Sequence, residues 1–534
     1  MGVKCSKAIT RSEITRGFRV SENLLIFKEV LRLKKFLVAL LCGFILSVQG
    51  IVYGETVYTI GDTTGDWGMP APYLHYSRGP GYVRMSLVFD SLLWKDRGGL
   101  VGLLAREWSY DKKGNAYIFT LRDNVRWHDG TPFTPDDVVF TFEYYKKYPY
   151  QFADISNIVK KVERLGQNKI KISLNYTYAP FLTNIAGTIP IIPRHIYKDI
   201  QNPLQFADPR CAIGTGPFIL KTYDKASGLY IFEANKDYYL GNVRVDQLRI
   251  VKVNNQVIPS LLTSGQLDAA GIAPEMVPGL KEKGLNIIKS TYDWNAKLVF
   301  NHKRYPFSDV RFRKAVAYAI DRERIVKIAL RGNGRVGSPG ILSPDNPYYT
   351  EGLEEYRQDI EKSKELLSKV NYTKDITIIY AQNFDQSAQL IKEDLTRAGL
   401  KVTLKSMEQK TVDALINNWR FDIAISGHGG LGGDPDILYR VILGSGFNSA
   451  RYYSNKRLTE LLLKQRFTLN DELRRRLIRE IQKIYADETP TLTLYYPDSY
   501  WAFNNRIELY YVKGGLGIGV PIPLNKLAFV DIKR

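Results

Sequence analysis

The chain has 534 residues, 44% hydrophobic and 24% charged, with 75 Lys and Arg against 55 Asp and Glu and a formal net charge of +20. Those fractions, with three Cys, exclude wholesale disorder, a collagen-like repeat, a disulfide scaffold and a polytopic membrane protein. The length predicts about three to four folding units, and the charge by itself fits nucleic acid, an anionic surface or no specific partner.

The N-terminus assigns the compartment. Lys34 and Lys35 precede an apolar run at 36–48, and Val52 and Gly54 flank Tyr53 just before Glu55. A positive region, a short apolar region and a small-residue exit describe a secretory signal. The run is shorter than the ~20 residues a spanning helix needs. Three fates fit it: cleavage after Gly54, retention as a membrane anchor, or lipidation at Cys42, for which Leu41 is a poor neighbour. Residues 1–30 are read as lying upstream of the true start. Cleavage after Gly54 leaves Cys211 as the sole cysteine, so no intrachain disulfide is expected. Residues 1–54 carry nine Lys and Arg against three Asp and Glu, which leaves +14 on the remainder. Export removes that charge from cytoplasmic nucleic acid, so none is expected as a partner.

From residue 55 the pattern is first strand-rich. Alternation at 117–121 predicts a strand. Thr134-Pro135-Asp136-Asp137 predicts a helix start, with an N-cap, a first-turn Pro and an acid three residues on. Strands are predicted at 159–165, 169–174 and within 216–232. The second half alternates: helix 308–320, a cap at Asp321, strand 375–380, helix 387–398, strand 401–404, helix 411–418, strand 421–426. That alternation predicts a parallel α/β sheet. Helices at 456–467 and 471–486 precede a strand at 491–496. Arg474-Arg475-Arg476 falls among Glu472 and Glu480 on the last helix and reads as a solvated face. Two lobes are expected: 55–293 with 490–534, carrying an inserted subdomain at about 77–208, and 294–489.

Motifs for chemistry are sparse. The five histidines, His75, His128, His195, His302 and His428, form neither HExxH nor a Cys/His cluster, so no metal or other cofactor is expected. GxSxG and GxxxxGK[ST] are absent. Of two literal GxGxxG matches, 427–432 follows a strand but lacks the immediate helix and distal acid of a dinucleotide site, and 332–337 follows a helix rather than a strand. Asp434 and Asp436 are the one carboxylate pair that suggests hydrolysis; two residues apart, they read rather as caps or a ligand rim. No catalytic residue is assigned.

Four blocks carry a resemblance. The first is Leu103-Leu104-Ala105-Arg106-Glu107-Trp108, followed by 117–122, then Trp127-His128-Asp129-Gly130-Thr131-Pro132-Phe133-Thr134 and Asp137-Val138-Val139. The second is Gly214-Thr215-Gly216-Pro217-Phe218 with Asn235 and Asp237-Tyr238-Tyr239, and the third is Ser264-Gly265-Gln266-Leu267-Asp268. The fourth runs from Phe300-Asn301 through Pro306-Phe307-Ser308-Asp309-Val310-Arg311, Arg313 and Ala315 to Ala319-Ile320-Asp321-Arg322. In this order, over 87–504, the chain resembles the extracellular solute-binding proteins of family 5, receptors of oligopeptide, dipeptide and nickel ABC importers. The resemblance implies a two-lobed periplasmic-binding-protein type II fold with an extra subdomain in the first lobe. Strands at 292–300 and 491–496 would cross between lobes, and ligand would bind by hinge closure. It also implies a periplasmic or cell-surface monomer that meets the membrane subunits of a permease.

In peptide-binding members of that family a strand is followed by Gly-Trp and, three residues later, an Asp that pairs with the peptide α-ammonium. Aligned on Pro435, this chain has Gly427-His428 there and Leu431 in place of the Asp. Either Asp434 reaches in from the next turn or the ligand presents no free amine there. Residues 427–433 are almost all glycine, which exposes backbone to a ligand or simply makes a flexible loop. The expected ligand-contacting residues are Trp67, Tyr150, Trp294, His428, Gly429, Gly430, Leu431, Asp434 and Trp501. The expected ligand is a peptide or similar solute, with an oligosaccharide or other non-peptide solute as the alternative and an extracytoplasmic hydrolase as the alternative of another class.

Overall fold

The computed structural model describes residues 55–532. The signal-like run, Cys42 and the leader lie outside the described residues. Among the described residues no helix is long and apolar enough to cross a membrane.

Two sheets organise the molecule. The first has seven strands in the order Asn286–Lys289, Tyr500–Phe503, Ala269–Ile272, Val57–Asp62, Gln247–Lys252, Leu229–Ala234, Phe218–Asp224. Here β1 (Val57–Asp62) runs parallel to Gln247–Lys252 and to Ala269–Ile272. The second sheet has six strands, in the order Gly334–Val336, Thr491–Pro497, Asn295–Phe300, Ile423–His428, Ile376–Ala381, Val402–Met407. We label Asn295–Phe300 β2, Ile423–His428 β3 and Thr491–Pro497 β4. Every residue of β2 and β3 is buried, as in a sheet covered on both faces. The alternation at 375–426 does yield parallel pairing of Ile376–Ala381 with both neighbours. The rest of the sheet is antiparallel, because β2 and β4 arrive from and return to the other sheet.

The helix predicted at Thr134 is Pro135–Lys147; the Asp137 carboxylate accepts the Thr134 amide at 2.8 Å and so closes the capping box. Asp321 caps Arg322–Ile328 through the Arg324 amide at 2.8 Å. A separate antiparallel sheet, Ala105–Asp111, Ala116–Leu121, Lys169–Leu174, Val159–Arg164, forms the body of the inserted region. Its apolar face (Phe119, Ile170, Ile172) joins one continuous core with Tyr58 and Ile60 of β1. A second core lies between β2, β3, Val310–Ala319 and Asp385–Arg397.

The chain passes from the first sheet to the second between Lys289 and Asn295 and returns between Pro497 and Tyr500. Thr491–Pro497 therefore belongs to the second sheet, and the return comes later than the 489/490 division expected above. Residues 504–532 then pack on the first sheet. Trp94 donates to Asn525 at 2.9 Å, and the Lys526 ammonium, fully buried, pairs with Asp90. We propose the two sheets as the centres of two lobes, with 290–294 and 498–499 as the hinge.

Candidate functional site

A cavity of about 500 Å³ opens where the two sheets meet. The first sheet's side supplies Trp67, Arg78 and Pro80, with Phe152 reaching in from the inserted region; the second supplies Trp294, His428, Arg440 and Phe447. The hinge contributes Thr291 and Asp498, and a returning segment contributes Ile518 to Ile522. This volume suits a drug-sized molecule or a short peptide.

Trp67 is held by hydrogen bonds at both ends. Its indole N–H donates to Asp62 Oδ2 at 3.0 Å and its backbone N–H donates to the Tyr230 hydroxyl at 2.7 Å. Asp62, at the end of β1, also accepts the Thr64 amide at 2.7 Å and pairs with the buried Arg84. A smaller pocket of about 180 Å³ continues from Trp67 and Pro80 past Asp62, Arg84 and Gly271; this is where Trp501 sits. Trp294 stacks on Phe384 with centroids 6.3 Å apart and planes 9° apart. Its ring edge lies over Gly427, where a Cβ would stand 2.2 Å from Trp294 Cζ2, so that glycine is required by the tryptophan.

Tyr150 does not reach the cavity. It is buried in the first core against Tyr145 and Phe152, bonded to His75 Nε2 at 3.2 Å, while its neighbour Phe152 makes the wall. Leu431 is also buried, in the apolar cluster around Ile437 and Leu438. Asp434 does not reach in either: Arg474 grips its carboxylate at 2.9 and 2.6 Å. Asp436 is taken by Arg466 at 2.9 Å, the Tyr178 hydroxyl at 2.8 Å and Gln465 at 3.1 Å. Of the loop residues, Gly427, His428 and Gly429 line the cavity.

Gly430 and Gly433 of that loop face a second glycine-rich segment, Gly514-Gly515-Leu516-Gly517-Ile518-Gly519, while Gly432 abuts the Asp293 carboxylate. A Cβ on Gly519 would lie 2.5 Å from Gly430 Cα, and one on Gly433 3.1 Å from the Gly514 carbonyl. The loop's glycines thus permit backbone to meet backbone across the cleft. Composition marks both runs as glycine-rich, but nothing local says that residues about ninety apart touch.

Ionic contacts also cross the cleft. Arg78 forks onto Asp413 (Nη2 to Oδ1 2.6 Å, Nε to Oδ2 3.0 Å) and lies over the Phe447 ring at 4.3 Å. The Tyr76 hydroxyl donates to the same carboxylate at 2.9 Å, and Lys410 reaches Asp66 at 3.2 Å. This is a closed arrangement.

Three buried polar atoms in the cavity wall lack a partner: Asp498 Oδ1, His428 Nε2 and Arg440 Nε. Asp498 gives Oδ2 to Lys289 at 2.8 Å while Oδ1 has none. The His428 ring faces the Gly429 carbonyl through Nδ1 at 3.3 Å while Nε2 has none. Burial, reinforced by nearby Lys297 and Arg440, holds the His428 imidazole well below its ordinary value, so it is neutral at pH 7. A buried polar atom left unmatched costs about 1–3 kcal/mol, so such atoms mark where a ligand atom would be accommodated. Among the described residues no group of three or more His, Cys, Asp or Glu could hold a metal ion.

The profile of the bacterial extracellular solute-binding proteins, family 5 Middle, matches residues 99–450. This chain belongs to that family. Heme-binding protein A of Haemophilus influenzae is 27% identical over 453 residues, covering 76% of this chain and 81% of that protein. Di/tripeptide-binding protein 3 of Pseudomonas aeruginosa is 25% identical over 486 residues, covering 83% and 90%. The structure of NikZ from Campylobacter jejuni in complex with Ni(L-His) superposes with a TM-score of 0.75 at 25% identity, covering 86% and 97%. The family 5 chain is a substrate-binding protein of an ABC importer and has the two-lobed α/β fold of those receptors. The named ligands of these three relatives differ, so the ligand of this family 5 receptor must be read from its own cavity.

Proposed function

We propose that this receptor encloses a short peptide or a compact peptide-like solute between its lobes and presents the closed form to the membrane permease. The observation that carries the reading is the cavity itself: about 500 Å³, walled from both sheets and bridged by the Arg78–Asp413 fork. Trp67, Phe152, Trp294 and Phe447 supply apolar contact area, while Asp498 Oδ1 and His428 Nε2 await polar atoms. Ligand stabilises the closed form by its differential affinity for it, and that difference is the signal a permease can read.

Asp434 and Asp436, the pair that suggested hydrolysis, are each held by an arginine, and neither lines the cavity. A glycosidase needs two carboxyls flanking one bond about 5–9.5 Å apart. We read the chain as having no catalytic role. The non-peptide alternative draws on Leu431, which leaves the loop without an amine-binding carboxylate, and on the four rings, which also suit sugars.

The test is native mass spectrometry of the protein purified from its own extracytoplasmic fraction, then calorimetry with tripeptides and with β-linked hexasaccharides. A copurified mass in the peptide range with micromolar or tighter tripeptide binding is expected. Saturable binding of hexasaccharide with none of any tripeptide would replace the peptide reading by the sugar one.

A further inference from the structure

The lobe-two wall of the cavity holds an arginine without a counter-ion. Four basic side chains stand behind or within the glycine loop, and two of them are matched: Arg474 by Asp434 and Arg466 by Asp436. The other two are not. Arg440 lines the cavity, yet no carboxylate among the described residues lies within ion-pair distance of it. Its Nη2 donates to the Ile518 carbonyl at 3.2 Å and its Nε is buried without an acceptor. Lys297, fully buried on β2, donates only to the carbonyl of Asn448 at 2.7 Å, and Asn448 is itself in the wall. The nearest acids, Asp434 and Asp436, have their oxygens filled by Arg474, Arg466, Tyr178, Gln465 and the Asp436 amide.

The hinge wall differs. Asp498 is the carboxylate that lines the cavity, and Lys289 already balances its charge. Its free Oδ1 therefore accepts a neutral N–H or O–H and does not require an ammonium. Arg78 is likewise matched by Asp413. What the cavity lacks is an anion beside Arg440.

We infer that the wall formed by Arg440 and Asn448 receives a carboxylate of the bound solute, with Arg440 as the residue that recognises it. A planar guanidinium with an unused N–H in a desolvated wall is suited to a carboxylate, and such charge-assisted bonds are about twice as strong as neutral ones. The inference rests on the peptide-like reading above and gives it a direction. The loop that would hold an amine through an acid at position 431 carries a buried leucine there, and the same wall takes the acid end of the ligand.

One tripeptide, Ala-Phe-Ala, in four forms tests this by calorimetry: free, N-acetylated, C-amidated and doubly blocked. A set of small aromatic and aliphatic acids, each beside its primary amide, is screened by thermal shift. C-amidation is expected to weaken binding at least tenfold and N-acetylation less than threefold. In Arg440→Gln the acid and amide forms should bind within threefold of each other, whereas Arg440→Lys should keep a preference for the acid. Because the blocked forms are compared on the unaltered protein, the test does not depend on either variant folding. Equal binding of acid and amide forms overturns the inference, as does loss of binding on acetylation. Failure of every acid to bind while a solute still copurifies overturns it too and leaves the receptor reading standing. Absence of any copurified or added ligand sinks both.

Discussion

Gly519 has φ +108° and Gly430 φ +93°, backbone conformations that side chains rarely adopt, and the two meet at the point where the lobes touch. Gly519→Ala would place a methyl 2.5 Å from Gly430 Cα in a strained φ, at a cost of about 1–3 kcal/mol. The contact with Gly430 falls on the closed form, in which the loops touch, whereas the φ strain is local to the 515–520 turn and burdens both forms. Ligand affinity is expected to drop about tenfold or more, while the ligand-free melting temperature moves by a few degrees at most; an unchanged dissociation constant would show that closure does not need this contact. The sequence displayed both glycine runs. It offered no means of pairing them, because a glycine carries no side-chain chemistry that names its partner. Tyr150 is the converse case. Its aromaticity suggested a ligand surface, but its hydroxyl is satisfied internally by His75, and Phe152, two residues on, faces the cleft.

At the level of elements, the strands and caps near the site follow from local pattern. Asp321 and the Thr134 box start helices where expected, and β3 delivers His428 to the cleft edge. The return crossing comes after Pro497, since β4 must complete its pairing with β2 before the chain leaves. Closure depends on the loop after β1 meeting the helix Gln409–Asn417 through Arg78 and Asp413. Asp413 is nearly inaccessible, so removing its partner leaves a buried carboxylate served only by Tyr76 and Gln409. Arg78→Ala is therefore expected to favour the open form: a larger radius of gyration by small-angle scattering without ligand, and ligand affinity lowered about fivefold to a hundredfold. Identical scattering for variant and parent would remove the fork from the closing mechanism.

Over the whole molecule, buried histidines tie stability to pH. Burial lowers His75 to about 4 and holds His428 well below its usual value. An unfolded histidine titrates near ~6.5, so below that pH the unfolded chain binds protons that the folded one refuses. Stability contributed by each neutral histidine is present above ~6.5 and falls by about 1.4 kcal/mol per pH unit down to the folded value. Melting temperature should decline from pH 7 to pH 4.5, and the decline should be shallower in His75→Gln. An equal decline in both proteins would remove His75 from the effect and leave it to His428, the other buried histidines and the carboxylates.

What the amino-acid sequence determined by itself was the family, the two-lobed α/β class and two of the four aromatic rings of the wall, Trp67 and Trp294. Strand alternation, caps and ordered motifs are properties of neighbouring residues and can be read locally. The tertiary structure alone decided what the charges do. Asp434, eligible from its position, is used up by an arginine forty residues away, while Arg440, one basic residue among 75, is left without an acid in the wall of the cavity. Whether a charge is available for a ligand depends on which distant side chains have already neutralised it, and that is fixed only when the chain is folded.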